Sequence, residues 1–512
     1  MSTVTFTRSE KIVIGGLAFF AVLLHLIVNL NGAYGFFRDE LYYIACSEHL
    51  AWGYVDQPPF SLYLLKISRL IFGDNLAAIR LLPALVHGGT IILAGFLVKE
   101  MGGKLFAVFL ASLAVLLSPI HLGMSGIYSM NSIDIFLWSL AIYFIIKIIN
   151  TKNQNYWIAL GLVLGIGLLN KISVLFLGAG IFAGILLTNP RWLATRWPYT
   201  AGVLAVILFL PYILWNINHD LAHLEFIHNA STQKYSGRNR LDFIVDQFLF
   251  LNPLSTPIWI AGLVALFFYD FLKPYRIIGW IYLTAFIILV INPTSKGEYL
   301  APAYACLFAA AGILIEQKLT TPAVAWLRYI YPGLLVVTAG ILMPLVVPML
   351  PVKQYIVYSK ALGMEPTSSE NKELSELPQF YADMFGWEEK ARDVAKVYNS
   401  LTQEEKSKCA IYSNNYGRCG AIDFFGKQYG LPSAIGSHNN YWMWGPHNHT
   451  GEVMIILGGT LDDHREDFET CEEVAVSSCT YCMPYENNVK IFLCRNLKQS
   501  LTDAWKDVKH FE

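Results

Sequence analysis

The stretch of this chain best equipped for chemistry is Phe37-Arg38-Asp39-Glu40-Leu41-Tyr42-Tyr43-Ile44-Ala45, followed shortly by Trp52-Gly53-Tyr54-Val55-Asp56-Gln57-Pro58-Pro59-Phe60. Two adjacent carboxylates, a guanidinium and several aromatic rings come directly after an apolar run, residues 12–30. If that run spans a bilayer, Asp39 and Glu40 stand where lipid meets water, and the alternation of aromatic and polar residues suits a helix lying in the interface. A carboxylate so placed can serve a substrate carried on a lipid. The same pair also reads as an acidic cap, because a helix dipole stabilises Asp and Glu in its first turn. Spacing alone leaves both readings open.

The elements that must position these residues follow from composition. Of 512 residues, 55% are hydrophobic, 14% aromatic and 15% charged, against roughly 25% charged in a soluble domain. With a mean hydropathy of +0.44, soluble enzymes, disordered chains and small secreted scaffolds are excluded. Lys and Arg total 37 and Asp and Glu 38, a net charge of -1, so no basic excess exists to hold nucleic acid.

Apolar runs at 12–30, 76–98, 105–120, 133–149, 156–169, 172–187, 201–215, 258–272, 277–291, 300–315 and 329–350 predict a polytopic α-helical membrane protein of about eleven spans. Basic residues stay cytoplasmic during insertion. Arg8, Lys11, Lys99, Lys104, Lys147, Lys152, Arg191, Arg196, Lys273, Arg276, Lys318 and Arg328 share one face if the N-terminus is inside. Loops 31–75 and 216–257 and everything after Leu350 then face outward. This predicts a plasma or inner membrane protein with a membrane domain over 1–350 and an extracytoplasmic α/β domain over 351–512. Strands are expected near 410–412, 452–457, 473–476 and 490–493, with a helix near 420–429. Six of the eight cysteines lie in that terminal domain, which suggests disulfides. The Cys479-Thr-Tyr-Cys482 pair leaves a metal site as the competing reading.

The stretch Asp39-Glu40-Leu41-Tyr42-Tyr43 with Gly53-Tyr54-Val55-Asp56-Gln57-Pro58-Pro59 resembles the first outer loop of the GT-C polyprenyl-phosphate-sugar glycosyltransferases. Within them it is most similar to prokaryotic members of the dolichyl-phosphate-mannose-protein mannosyltransferase-like family, glycosyltransferase family 39. Asn216-Ile-Asn-His219-Asp220, Gly167-Leu-Leu-Asn-Lys171 and Lys296-Gly-Glu-Tyr299 resemble later outer segments of that family. Tyr416-Gly-Arg-Cys-Gly-Ala-Ile-Asp423 and Asn439-Asn-Tyr-Trp-Met-Trp-Gly445 resemble its attached outer domain.

The resemblance implies transfer of a sugar from a polyprenyl phosphate to a hydroxyl of a lipid, glycan or protein acceptor, with membrane lipids as the setting. It implies Asp39 as catalytic base, with Glu40 orienting the acceptor or a nearby cation. One base and a single displacement predict inversion at the anomeric carbon. The leaving phosphate needs cations on the same face; Arg38, Lys171 and Lys296 qualify, although each also reads as a headgroup anchor. Tyr43 and Tyr299 are candidates to pack on the sugar or isoprenoid. The related lipid A aminoarabinose transferases bind a divalent ion in the corresponding loop, so Asp56 with His219 is a candidate site for zinc or magnesium. Asp134, inside a run, is expected either to line the active cavity or to accept a bond from Lys171, with the pairing favoured. The alternative, a polytopic transporter or lipid flippase, would place its ionisable groups near the bilayer midplane and show inverted repeats. Here charge gathers on outer loops.

Overall fold

The computed structural model describes residues 5–234, 239–368, 370 and 372–512. Among them, seven helices are long and apolar enough to cross a membrane, or nine if two bent pairs each count as one span. With the shorter apolar helices Asn155–Asn170 and Val174–Thr188, these fall on the apolar runs in order. Helix α1, Arg8–Leu30, starts on a capping box in which the Thr7 amide donates to Glu10 at 2.8 Å and the Glu10 amide donates to Thr7 Oγ1 at 3.2 Å. Glycines bring helices into backbone contact: a Cβ on Gly180 or Gly184 would come within 2.9 and 2.7 Å of Ile281 and Ile277. Small residues four apart permit that approach where no hydrophobic effect drives helices together.

Two runs differ from straight spans. Run 105–120 is Leu105–Leu116 followed by Pro119–Ser125 at 57°, with Pro119 at the break because it cannot continue the preceding ladder. Run 258–272 is the second limb of Arg240–Leu249 plus Pro253–Phe268, bent by 89°, so the expected loop 216–257 contains helix. Loop 31–75 does too, as α2, Arg38–Glu48, and α3, Phe60–Phe72. Helix α3 exposes Ile67, Leu70, Ile71 and Phe72 while Lys66 and Arg69 pair with Glu48 and Asp74, the sidedness of a helix lying in the membrane interface.

The terminal segment forms a five-stranded sheet of β1 (Cys409–Ser413), β2 (Ala434–Gly436), β3 (Val453–Leu457), β4 (Phe468–Ser477) and β5 (Val489–Leu497), in the order β2-β1-β3-β5-β4. Strand β1 runs parallel to β2 and β3, while β5 is antiparallel to β3 and β4. Buried on both faces, β3 reads as the unbroken run Val-Met-Ile-Ile-Leu. Strand β2 has too short a run to be read in advance. Only Cys471 and Cys494, opposite one another on β4 and β5, are bonded. Cys409, Cys419, Cys479 and Cys482 are thiols; Cys409 and Cys419 are buried on separate elements and serve as core.

The 31–75 segment and this sheet share one apolar core, in which Leu41, Tyr42 and Ile44 of α2 pack with Trp387, Ala391, Cys419 and Ile422. Helix Tyr416–Phe425 lies directly on α2. Gly417 and Gly420 allow it: a Cβ at either would stand 2.6 Å from Arg38 Cγ or 2.9 Å from the Leu41 carbonyl carbon.

Candidate active site

That close approach brings Tyr416 over the start of α2. Its hydroxyl donates to Asp39 Oδ1 at 2.9 Å, and Arg38 Nε donates to the same oxygen at 3.2 Å. The Asp39 side chain keeps 34% exposure, so its second oxygen can meet a ligand. Glu40 is different. It is fully buried, with Oε2 accepting from the Phe37 amide at 2.8 Å and from Arg80 Nη2 at 2.7 Å, and Oε1 from Arg80 Nε at 2.8 Å and the Tyr128 amide at 2.7 Å. All of its acceptor capacity toward the cleft is spent on protein. Of the two expected roles for Glu40, orienting the acceptor or a nearby cation, the geometry fits the second: it holds Arg80 and acts as a positioning residue at the start of α2.

Arg38 faces a polar cleft of about 740 Å³ lined also by Lys234, Glu370, Tyr416, Arg418 and His438. Its guanidinium grips Glu370 with both ends, Nη2 to Oε1 at 2.9 Å and Nη1 to Oε2 at 3.2 Å, and Lys234 Nζ stands 3.1 Å from Oε1. Burial opposes charge on Glu370, yet Arg38, Lys234 and more distant Lys296 hold its carboxyl well below the usual range. Two cations thus meet one anionic group beside Asp39, with the charge of Lys296 adding from further away. Arg38 and Lys296 are sequence candidates; Lys234 and Glu370 carried no local signal. Asp383 stands 3.7 Å from Arg38, and burial pushes its carboxyl up to about 7 although Arg38 pulls it down.

Lys171 donates to Asn131 Oδ1 at 2.7 Å and sits 5.2 Å over the Tyr299 ring, so these two candidates are together. Asp134 accepts instead from Ser173 Oγ at 2.9 Å, which corrects its expected direct pairing with Lys171. Tyr43 is buried in α2 between Asp39 and Asp56, both of which raise its hydroxyl after burial does. It packs in the protein rather than presenting its ring to a sugar.

Asp56 and His219 take separate partners. Tyr42 donates to Asp56 Oδ1 at 2.9 Å, and Asn440 Nδ2 donates to Tyr42 at 2.5 Å. His219 stacks on Trp215 and donates from Nδ1 to its carbonyl at 2.7 Å. The histidine that reaches this loop is His223, donating to the Val55 carbonyl at 2.9 Å. Among the described residues no three His, Cys, Asp or Glu side chains gather as a metal site would need.

Asp56 yields a pH prediction. Low access to water pushes its carboxyl from 3.8 up to about 7, against the pull of the Tyr42 bond. The folded state then holds this proton more tightly than the unfolded chain, so its contribution is full at low pH and is lost as pH rises through the folded value. Asp56→Asn keeps an acceptor for Tyr42 and removes the titration. Its melting temperature should exceed that of the parent by a margin that opens between about pH 4 and about pH 7 and is constant above. An equal margin at both ends refutes the assignment.

Residues 56–215 match the family model described as dolichyl-phosphate-mannose-protein mannosyltransferase, a match that starts just beyond Asp39. Lipid A galacturonosyltransferase RgtD of Rhizobium johnstonii is 27% identical over 238 residues, 44% of this chain and 49% of RgtD. The undecaprenyl phosphate-alpha-4-amino-4-deoxy-L-arabinose arabinosyl transferase 2 of Pseudomonas fluorescens is 26% identical over 167 residues, 32% of this chain and 24% of its own length. The chain thus spans half or less of the length of these relatives. The crystal structure of ArnT from Cupriavidus metallidurans bound to undecaprenyl phosphate superposes with a TM-score of 0.63 at 13% identity, covering 93% of this chain and 98% of that one. The chain is a multi-pass membrane protein with the GT-C fold, and its residues 56–215 are similar to the dolichyl-phosphate-mannose-protein mannosyltransferase family model.

Proposed function

We propose that this chain transfers a sugar from a polyprenyl phosphate to an acceptor hydroxyl at the outer membrane face, with inversion. The observation that carries this reading is the adjacency, at the start of α2, of half-open Asp39 and the cation cluster that grips Glu370. In the reaction, Asp39 takes the acceptor proton as the acceptor oxygen bonds to the anomeric carbon. The bond from that carbon to the donor phosphate breaks, and the polyprenyl phosphate leaves as an anion. A carboxylate held by Arg38 and Lys234 has the charge and bidentate shape of that leaving group. Cations already in place at developing negative charge lower the barrier without rearrangement.

Nucleotide sugars remain in the cytosol, so a site on the outer face requires a lipid-borne donor. The names of the relatives point to undecaprenyl phosphate as the carrier and a lipid A-type glycolipid as the first acceptor to test. The experiment is transfer by the purified chain in nanodiscs from an undecaprenyl-phosphate sugar, with the product anomer read by NMR. No transfer across a panel of sugars and of lipid, glycan and protein acceptors, or retained configuration, rejects the proposal.

Lys171 and Lys296 carry a further prediction. Losing one charge-assisted bond to phosphate costs about 1.5–3 kcal/mol, about 10- to 100-fold. Lys171→Gln and Lys296→Gln should each lower kcat/KM for donor by that order, measured by initial rates. Unchanged rates would make both simple headgroup anchors.

A further inference from the structure

Outside this site, the described residues hold one pair of thiols in a single turn. Cys479 is half-buried and Cys482 buried, with Cys482 Sγ donating to the Cys479 carbonyl at 3.4 Å. The turn is held at both ends: the Cys479 amide donates to Asn487 Oδ1 at 3.0 Å and Ser478 Oγ donates to Asn488 Oδ1 at 2.8 Å. Gly386, with φ +87°, lets the chain come close, and a Cβ there would lie 3.1 Å from both Cys479 Sγ and Lys390 Nζ. Sulfur and ammonium are therefore no more than about 6 Å apart, a range at which an opposite charge favours a thiolate. The Cys482 side chain beside the Cys479 sulfur also pulls the Cys479 thiol down, while burial works against it.

The metal reading of this pair lacks further ligands among the described residues. A half-open thiol beside a cation with a buried thiol three residues on is the arrangement that thiol–disulfide exchange requires. We propose that Cys479 and Cys482 form a redox-active dithiol, in which Cys479 attacks the disulfide of an external carrier and Cys482 resolves the mixed disulfide. In the first step the Cys479 thiolate bonds to one carrier sulfur and the other leaves as a thiolate. In the second, Cys482 loses its proton, bonds to Cys479 Sγ and expels the first carrier sulfur. The protein loses two electrons and two protons, and the carrier disulfide becomes two thiols.

The cross-link would close the turn that leads into Pro484-Tyr485-Glu486. Tyr485 accepts from Arg38 at 3.1 Å, and Glu486 binds Arg418 at 2.9 Å and Lys390 at 3.3 Å. Oxidation state is thereby tied to the wall of the polar cleft.

The test uses the full chain in detergent, equilibrated in glutathione buffers of rising oxidised-to-reduced ratio, quenched in acid, alkylated under denaturing conditions and mapped by mass spectrometry. The peptide bearing Cys479 and Cys482 should pass from doubly alkylated to internally bridged, two hydrogens lighter than the dithiol, while Cys409 and Cys419 stay alkylated. Cys482→Ala should trap glutathione on Cys479, whereas Cys479→Ala should leave Cys482 unmodified. Two thiols surviving in fully oxidised buffer overturn the proposal, as does equal glutathionylation of the two single variants. Should a variant fail to fold, the parent ratio series alone decides.

Discussion

Asp39→Asn should lower kcat for sugar transfer by about 10² to 10⁴-fold, the usual contribution of a general base. The substitution is nearly isosteric, and the amide oxygen still accepts from Tyr416 and Arg38, which now converge on Oδ1. Arg38 keeps Glu370 and Asp383, so the cation cluster survives. With a third of the side chain open to water, loss of the charge costs little stability. The variant should therefore insert, elute as a single species and bind donor with nearly unchanged Kd, while turnover disappears. Normal turnover in a folded variant removes Asp39 from its role; loss of donor binding in step with turnover makes it part of the phosphate seat instead.

How far the sequence reached depended on the range of the interaction. Spans were legible because length and apolarity act locally: each run expected to cross the membrane lies on an apolar helix. The bends at Pro119 and Pro253 were marked by residues whose effect on a helix is local too. Helix α3 and the helix Arg240–Leu249 were passed over because their apolar faces are interrupted by Lys66, Arg69 and Asp246. Such charge breaks a hydropathy run, yet suits a helix lying in an interface.

Within the site, residue type was legible and role was not. Asp39 and Glu40 are neighbours of the same chemistry. One is half-open and the other fully buried only because consecutive helical positions point about 100° apart and Arg80 waits on one side. No spacing rule connects positions 40 and 80. Glu370 and Asp383 reach Arg38, and Lys234 reaches Glu370, from segments far along the chain, so their roles exist only after folding. That His223 rather than His219 reaches the Asp56 loop was not legible for a smaller reason. The chain leaves its helix at His219 and re-forms one at Ala222 through left-handed Asp220 and Leu221, which turns His223 toward Val55. Asp is common in that conformation, but a Leu following it there is not. No pairing was legible for the expected disulfides, because pairing needs Cα atoms within about 7 Å, a condition that cross-strand register supplies to Cys471 and Cys494.

The second large effect falls on folding. Glu40 and Arg80 are 0% and 1% exposed, and Arg80 also donates to Asn29 and to the Gly35 carbonyl. Glu40→Ala leaves a buried guanidinium without its counter-charge and strips the Phe37 and Tyr128 amides of an acceptor. Breaking a buried pair by removing one partner costs about 3–5 kcal/mol, against a total stability of about 5–15 kcal/mol. The variant should lose most of its monodisperse yield in fluorescence-detected size exclusion and melt well below the parent. Glu40→Gln, which keeps the shape but not the charge, should fall between them. Glu40→Met with Arg80→Met removes both charges and fills similar volume, so it should recover much of what either single change loses, because no unpaired ion remains. Transfer should not recover with it. The carboxylate also ties the first turn of α2 to Tyr128, and without that tie Asp39 is no longer held against Tyr416 in the geometry a proton transfer demands. A Glu40→Ala protein with parental stability would show the pair to be dispensable. A double variant with full activity would show that the position of Asp39 is set elsewhere, by Asp383 accepting the Arg38 amide at 3.0 Å and by Tyr416 alone.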